Sequence, residues 1–330
     1  MKILVTGGAG YIGSHMVGIL LRAGHEVVIL DDFSSGHLDA VAGGMLVRGS
    51  MGDALLLDEL FTKSHFDAVM HFAGFIQVGE STSLPDKYYR NNVASTLVLL
   101  DAMLRHRVGL FIFSSSAAVF GEPHYSPIDE GHPKVPINPY GHSKLMIEQI
   151  LADYDQAYGF RSVSLRYFNA AGADPGGANG ERHDPETHLI PLVLQTASGR
   201  QRAITVFGRD FPTPDGTCIR DYIHVIDLCE AHLLALRYLV EKGVTNSFNL
   251  GNGAGHSVQQ VIDAAQRVTG RPLAVIDAPR REGDAARLVA AFDHARRILG
   301  WTPKYAALDT IIAHAWRWEC RMADCLPIQG

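Results

Sequence analysis

Lys2-Ile3-Leu4-Val5-Thr6-Gly7-Gly8-Ala9-Gly10-Tyr11-Ile12-Gly13 runs from an apolar segment through a glycine-rich turn into a second apolar segment. Residues 2–6 read as a short buried strand, and Ser14 to Leu21 as an apolar helical run. Between them glycines stand at 7, 10 and 13, one for a tight turn, one for close approach of the backbone to a pyrophosphate, one for helix–sheet packing. The new helix aims free N–H groups and its positive dipole end at that pyrophosphate. A flexible turn would satisfy the glycines alone, but the required context is present. A second strand, His25 to Leu30, ends in Asp31-Asp32, about 20 residues further on, where a carboxylate can accept hydrogen bonds from an adenosine ribose. Two carboxylates without a neighbouring Arg repel a 2′-phosphate, which favours NAD over NADP.

The rest of the first half alternates strands and helices, the pattern of a doubly wound parallel α/β sheet. Strands are expected at Met45 to Val47, Ala68 to Phe72, Leu110 to Ser114 and Arg161 to Asn169. Helices are expected at Leu55 to Phe61, Tyr88 to Arg105 and Pro139 to Tyr154. Ala73-Gly74, small residues at a strand's carboxyl end, suit a place where cofactor passes close by. Residues 170–187 are rich in Ala, Gly, Asp and Pro, so the sequence divides into a Rossmann domain, 1–173, and a smaller C-terminal lobe, 174–330. A helix is expected at Leu189 to Ser198. Part of 221–262, including a buried strand near Ser247 to Gly251, is expected to pack back on the Rossmann domain.

Composition narrows the function. The chain has 330 residues, 47% hydrophobic and 19% charged, ordinary for a soluble enzyme. A net charge of −6 and a pI near 6.2 argue against nucleic acid as a partner, so any anionic ligand must be met by locally placed arginines. Cys218, Cys229, Cys320 and Cys325 lack C-x-x-C spacing and read as reduced thiols. Sixteen histidines without H-E-x-x-H spacing lead to an expectation of no protein-held metal. No apolar run reaches 18 residues and no secretory signal opens the chain, so no membrane partner and a cytoplasmic location are expected.

Tyr140 and Lys144, four apart on an expected helix, share one face. An ammonium about 5 Å from the phenol favours phenolate and is expected to draw the tyrosine pKa below its ordinary value. Ser114-Ser115-Ser116, at the end of the preceding strand, offers a hydroxyl to hold a substrate oxygen against that tyrosine.

The glycine turn, Ser116 and Tyr140-x-x-x-Lys144 together resemble the extended short-chain dehydrogenase/reductase superfamily. Longer strings narrow the resemblance to its UDP-glucose 4-epimerase family: His71-Phe72-Ala73-Gly74, Val78-Gly79-Glu80-Ser81, Val119-Phe120-Gly121, Arg166-Tyr167-Phe168-Asn169, Arg220-Asp221-Tyr222-Ile223-His224-Val225 and Ala278-Pro279-Arg280-Arg281-Glu282-Gly283-Asp284. The similarity runs from residue 2 to about residue 302.

The resemblance implies NAD-dependent interconversion of UDP-galactose and UDP-glucose through a 4-keto sugar. It implies Tyr140 as base, Lys144 as its tuner and nicotinamide-ribose holder, and Ser116 in the proton path. It implies NAD contacts from Gly7, Gly10, Tyr11, Ile12, Gly13, Asp31, Asp32, Ser50, Met51, Phe72, Ala73, Gly74, Asn91, Ser114 and Phe168. UDP-sugar contacts are implied for Asn169, His188, Leu189, Thr205, Phe207, Arg220, Tyr222, Arg281, Asp284 and Leu288, the C-terminal lobe being the UDP-sugar lobe. A homodimer is implied, packed through helices near residues 91–105 and 140–154.

Two positions depart from the family pattern. Ser50 stands where an Asp is frequent near the adenine, and Ile76 where a Lys is frequent near the cofactor, so weaker NAD retention is expected. Leu288 stands where family members with Tyr exclude N-acetylated sugars, so UDP-N-acetylgalactosamine/UDP-N-acetylglucosamine are expected as slower second substrates. The alternatives are an epimerase mainly for N-acetylated UDP-hexoses or UDP-pentoses, and a non-catalytic NAD-sensing module. A sugar-nucleotide dehydratase needs an acid pair just after Ser116, and Ala117-Ala118 cannot donate a proton.

Overall fold

The computed structural model describes residues 1–281 and 284–323; Glu282, Gly283 and Cys325, named above, lie outside the described residues. Apolar runs too short for helices make the central strands: β1 (Lys2–Thr6), β2 (Glu26–Asp31), β3 (Met45–Arg48) and β4 (Ala68–His71). Between them run α1 (Tyr11–Arg22) and α2 (Ala54–Lys63), the latter started by Asp53, whose carboxylate accepts the Leu55 and Leu56 N–H groups. Then come α3 (Val78–Ser83), α4 (Pro85–Tyr88), a wide π turn over Tyr89–Ala94 and α5 (Ser95–Arg105). β5 (Leu110–Ser116), α6 (Pro139–Tyr158) and β6 (Arg161–Tyr167) complete the first half.

The expected helix at Tyr88 to Arg105 therefore begins earlier, at Pro85, and widens where Asn91 and Asn92 sit. The expected strand to Asn169 breaks after Tyr167, and β7 (Asn169–Ala171) leaves the main sheet to pair with a later strand. The second half contains α7 (Leu189–Ser198), β8 (Ile204–Phe207), β9 (Ile219–Arg220), β10 (Tyr222–His224), α8 (Val225–Lys242) and β11 (Asn246–Leu250). It ends with β12 (His256–Ser257), α9 (Val258–Thr269), β13 (Val275–Ala278), β14 (Arg287–Leu288), α10 (Asp293–Leu299) and α11 (Leu308–Met322).

The main sheet is seven-stranded in the order β11-β6-β5-β4-β1-β2-β3, every pairing parallel. This is the doubly wound α/β architecture expected from the sequence. Such a sheet is covered on both faces, so its strands are near-continuously buried. One face packs Val5, Ile29 and Ile112 against Met16 and Leu20 of α1 and Leu228 and Leu236 of α8. The other packs Leu4, Val28 and Phe113 against Leu57 of α2, Leu99 of α5 and Ile147 of α6. A third core lies where α7, α9 and α11 meet, around Val193, Ile262, Ile312 and Trp316.

Asp221, wholly buried, ties the halves together. Its carboxylate accepts the backbone N–H groups of Asn252, Gly253 and Ala290 at 2.7, 3.0 and 3.1 Å. Its carbonyl takes both the backbone N–H and the side-chain amide of Asn169. Burial raises its carboxyl pKa and the three backbone N–H groups oppose that rise. No described helix is long and apolar enough to cross a membrane. Cys218, Cys229 and Cys320 are buried.

Candidate active site

All strands of the main sheet point the same way, so Thr6, Asp31, His71, Ser116 and Tyr167 end at one edge. That edge is where open α/β sheets bind ligands, at the point where strand order reverses from β1 to β4. The glycine turn is built for close approach. Gly7 has φ +71°, and a Cβ there would stand 2.6 Å from the Ala73 nitrogen; a Cβ on Gly13 would stand 2.1 Å from the Gly7 carbonyl oxygen. A Cβ on Gly10 would meet only that same oxygen, at 3.4 Å, so this position is kept clear on its outer side. α1 starts at Tyr11 with no side-chain cap and no acidic residue in its first turn. Its leading N–H groups are thus available to an anion, and the residues present fit the pyrophosphate of a dinucleotide.

Asp31 accepts the Ala9 N–H on one oxygen and the Phe33 N–H on the other, both at 2.9 Å. It is 7% exposed, and burial raises its pKa against those two hydrogen bonds. A carboxylate has about four lone-pair sites, so two remain for ribose hydroxyls. Asp32 is exposed and accepts the Ser34 N–H. Phe72 and Ala73 both donate to the Thr6 carbonyl, and Gly74, at φ +155°, lies against Asn92. Asn92 bonds both backbone groups of Phe75 and donates to the Ser143 hydroxyl, while the Asn91 amide donates to Asn92 Oδ1. Ser50 accepts the Gly52 N–H. The Met51 side chain does not join this edge; it is buried in the core with Leu30 and Leu57. Tyr11 and Ile12 open α1, and the Tyr11 hydroxyl donates to the Gly172 carbonyl at 2.7 Å.

α6 begins with Asn138 as cap, accepting the Gly141 N–H, and Pro139 in its first position. This sets Tyr140 and Lys144 on the face toward β5. The Ser116 hydroxyl neighbours the Tyr140 phenol and favours its ionised form. Lys144 Nζ donates to the Ser114 carbonyl at 2.8 Å and lies 5.9 Å from the centre of the Tyr140 ring. The expected lowering of the tyrosine pKa does not hold in the protein by itself. Burial raises Tyr140, with the neighbouring Ser116 hydroxyl opposing, and burial pulls Lys144 down to about 8. The reason is that both groups are buried, so desolvation opposes the charged form of each.

Sequence reasoning missed Glu148, one turn beyond Lys144. Its carboxylate takes Arg166 as a fork, Nε at 2.8 Å and Nη2 at 2.7 Å, plus the Ser115 hydroxyl at 2.6 Å. This buried pair fastens α6 to β5 and β6 beneath the tyrosine.

Across the edge, Asp284 gathers two guanidiniums: Arg220 Nη2 at 3.3 Å and Arg281 Nε at 3.3 Å. Arg220 also donates to the Ala285 carbonyl, and Arg281 stands 4.6 Å over the Phe207 ring. On β8 the alternation buries Ile204 and Val206 and turns Thr205 and Phe207 outward. Two cations to one carboxylate leave a net positive charge, suited to fork-like pairing with phosphate oxygens. Leu288 joins the two sides. It pairs with Arg220 in register and packs in a small cluster with Ala117, Phe120 and Phe168. The structure does not bring Tyr222 to this surface; it is 4% exposed and buried in the third core with Ile190 and Trp316.

His188 caps α7 ahead of Leu189. Its Nδ1 lies 2.9 Å from Glu181 and 3.0 Å from Glu186, and His183 turns its own Nδ1 to the same carboxylates. Burial opposes the charged imidazoles, but Glu181 and Glu186 outweigh it, raising His183 to about 9 and His188 to about 10.

Comparison with known proteins agrees with this geometry. A family model described as "NAD dependent epimerase/dehydratase family" matches residues 3–251. The UDP-glucose 4-epimerase of Halalkalibacterium halodurans is 52% identical over 319 residues, covering 97% of this chain and 96% of that one. The crystal structure of UDP-glucose 4-epimerase from Brucella ovis in complex with NAD is 49% identical, with a TM-score of 0.93 over 96% of this chain and 97% of that one. The UDP-Glc/GlcNAc 4-epimerase of Campylobacter jejuni is 42% identical, with a TM-score of 0.85 over 97% of this chain and 99% of that one. A family match across three quarters of the residues, on a sheet edge that carries the glycine turn and the Tyr140–Lys144 pair, places the chain in the NAD dependent epimerase/dehydratase family.

Proposed function

We propose that the protein is an NAD-dependent epimerase that interconverts UDP-galactose and UDP-glucose, with residues 1–173 binding NAD and residues 174–330 supplying most of the UDP-sugar contacts. The observation that carries this is the pairing of Tyr140, Ser116 and Lys144 at one sheet edge with Arg220, Arg281 and Asp284 linked to it through Leu288. NAD, held by the glycine turn and Asp31, would supply the acceptor and later the donor of hydride at C4 of the sugar. Tyr140 removes the proton of the 4′-hydroxyl, which Ser116 holds in line, leaving a 4-keto sugar. Lys144 supplies the positive charge that supports the phenolate. Arg220 and Arg281 grip the diphosphate, so the keto sugar turns about its link and presents its other face to Tyr140. The proton then returns from Tyr140, and net redox change is zero.

Ile76 offers no cation to the cofactor, so added NAD⁺ is needed for full activity. The half-buried Leu288, shorter than a Tyr, leaves room for an acetamido group on C2, and the Campylobacter relative named for both sugar classes supports this second substrate pair. The protein acts in the cytoplasm as a homodimer. The test is conversion of UDP-galactose to UDP-glucose by purified protein with NAD⁺. Turnover of that pair is expected; NAD⁺ binding without turnover of any UDP-hexose sinks the reading in favour of an NAD-sensing module.

A further inference from the structure

We propose that Glu181, His183, Glu186 and His188 form a site for a divalent transition-metal ion of the zinc class, apart from the catalytic tyrosine and against the expectation that the chain holds no metal. The four side chains come from eight consecutive residues leading into α7, and one ligand atom of each lies within 4.8 Å of all the others. Both histidines present Nδ1 to the same Glu181 oxygen, and each also faces one oxygen of Glu186, so the four groups enclose one small shared point. The nitrogen–oxygen separations are 2.9 and 3.0 Å for His188 and 3.2 and 3.6 Å for His183. A tetrahedral ion with arms of about 2.0–2.1 Å sets its ligands about 3.3–3.4 Å apart, within the observed spread.

Hydrogen bonding alone accounts poorly for this convergence. A protonated His188 Nδ1 has one hydrogen for two carboxylate oxygens at nearly equal distance, and His183 Nδ1 is buried without a properly directed partner. A single cation on the shared point satisfies all four atoms at once. Two imidazoles and two carboxylates are borderline ligands of the kind zinc accepts.

The surroundings orient the donors as an outer shell does. The Thr187 and His188 backbone N–H groups both donate to Glu186 Oε1 at 2.8 Å, and Trp318 Nε1 donates to the Glu181 carbonyl at 2.9 Å. Glu181 and Glu186 side chains are only 6% and 5% exposed, while His188, at 38%, leaves a path for entry. The Tyr11 ring meets His183 edge-on at 6.4 Å. The ion therefore fastens the start of α7 next to the first turn of α1, as a structural clasp.

The experiment uses the full chain, freed of metal with a chelator, then titrated with Zn²⁺ alone against a chromophoric competitor. One equivalent per chain is expected, with a raised melting temperature. Co²⁺ in its place is expected to give the intense visible bands of tetrahedral coordination. His183→Ala and Glu181→Gln should each weaken Zn²⁺ binding at least about 10-fold, while His37→Ala, a neighbouring histidine outside the four, should not. Far less than one equivalent, weak octahedral Co²⁺ bands, or affinity unchanged in both ligand variants overturns the site. The wild-type cobalt spectrum decides the matter even if a variant fails to fold.

Discussion

Tyr140 concentrates the proposed chemistry on one oxygen, so Tyr140→Phe is expected to lower kcat at least about 10²-fold with UDP and NAD binding retained. Retention of more than a tenth of the turnover would show that another group takes the proton. Lys144 makes a separate, thermodynamic prediction. Its pKa falls from an ordinary 10.5 to about 8 through burial, so between those values the unfolded chain holds the proton that the folded chain has lost. Stability from this group therefore rises with pH across that window and is lowest below pH 8. The stability difference between wild type and Lys144→Met, measured by urea unfolding from pH 7.5 to 10.5, should move in favour of wild type by up to on the order of 3 kcal/mol. A flat difference would mean that Lys144 is not desolvated. On the proposed reading Leu288 gates sugar size, so Leu288→Tyr should lose the N-acetylated reaction selectively, about 10- to 100-fold, because overpacking costs about 1–3 kcal/mol. Equal slowing of both substrate pairs would remove position 288 as the gate.

Helix α6 delivers Tyr140 only if its register on the sheet is fixed, and the Glu148–Arg166 fork does that fixing. Removing one partner of a buried pair leaves an uncompensated charge, so Glu148→Met should cost about 3–5 kcal/mol. Glu148→Met with Arg166→Met should recover much of that stability. Neither should recover kcat, since a packed apolar pair lacks the directed fork, and KM should change less than kcat. A double variant with wild-type turnover would show that the fork is structural alone. The first strand, turn and helix were readable because burial, φ requirements and helical period coincide within twenty residues. Tyr140, Lys144 and Ser116 were readable because a four-residue helical spacing and a strand end are local facts. The fork was not, because Glu148 meets Arg166 only through the register of α6 on β6. The π turn at Asn91 was not, because its cause is Asn92 reaching across to Phe75 and Ser143. Met51 and Tyr222 carry side chains that suit a ligand surface, but each fills a core instead.

In the whole molecule the two halves interleave, since β11 and α8 close the main sheet while β7 leaves it, and Asp221 locks the exchange. That leaves α5 and α6 to face outward together, linked where Tyr154 donates to Asp101. Apolar side chains lie along the partly exposed flanks of both helices. Met146 is 40% exposed, Ile150 and Tyr154 follow it at four-residue intervals, and Leu97, Val98 and Leu104 are half-buried on α5. Val98, Leu104, Ile150 and Tyr154 are only partly covered by their own core; a further element would complete that burial, and a two-fold copy of the same pair is self-complementary. The expected product is a dimer of about 72 kDa, twice the 36.0 kDa chain, seen by sedimentation equilibrium. Ile150→Asp puts a charge at the centre of that seam without touching Tyr140 or Lys144. A charge buried unpaired in an interface costs several kcal/mol, so the variant should sediment as a monomer at micromolar concentration while keeping its far-ultraviolet circular dichroism. A wild type that sediments as a monomer, or an Ile150→Asp protein that stays dimeric, would move the interface away from these helices.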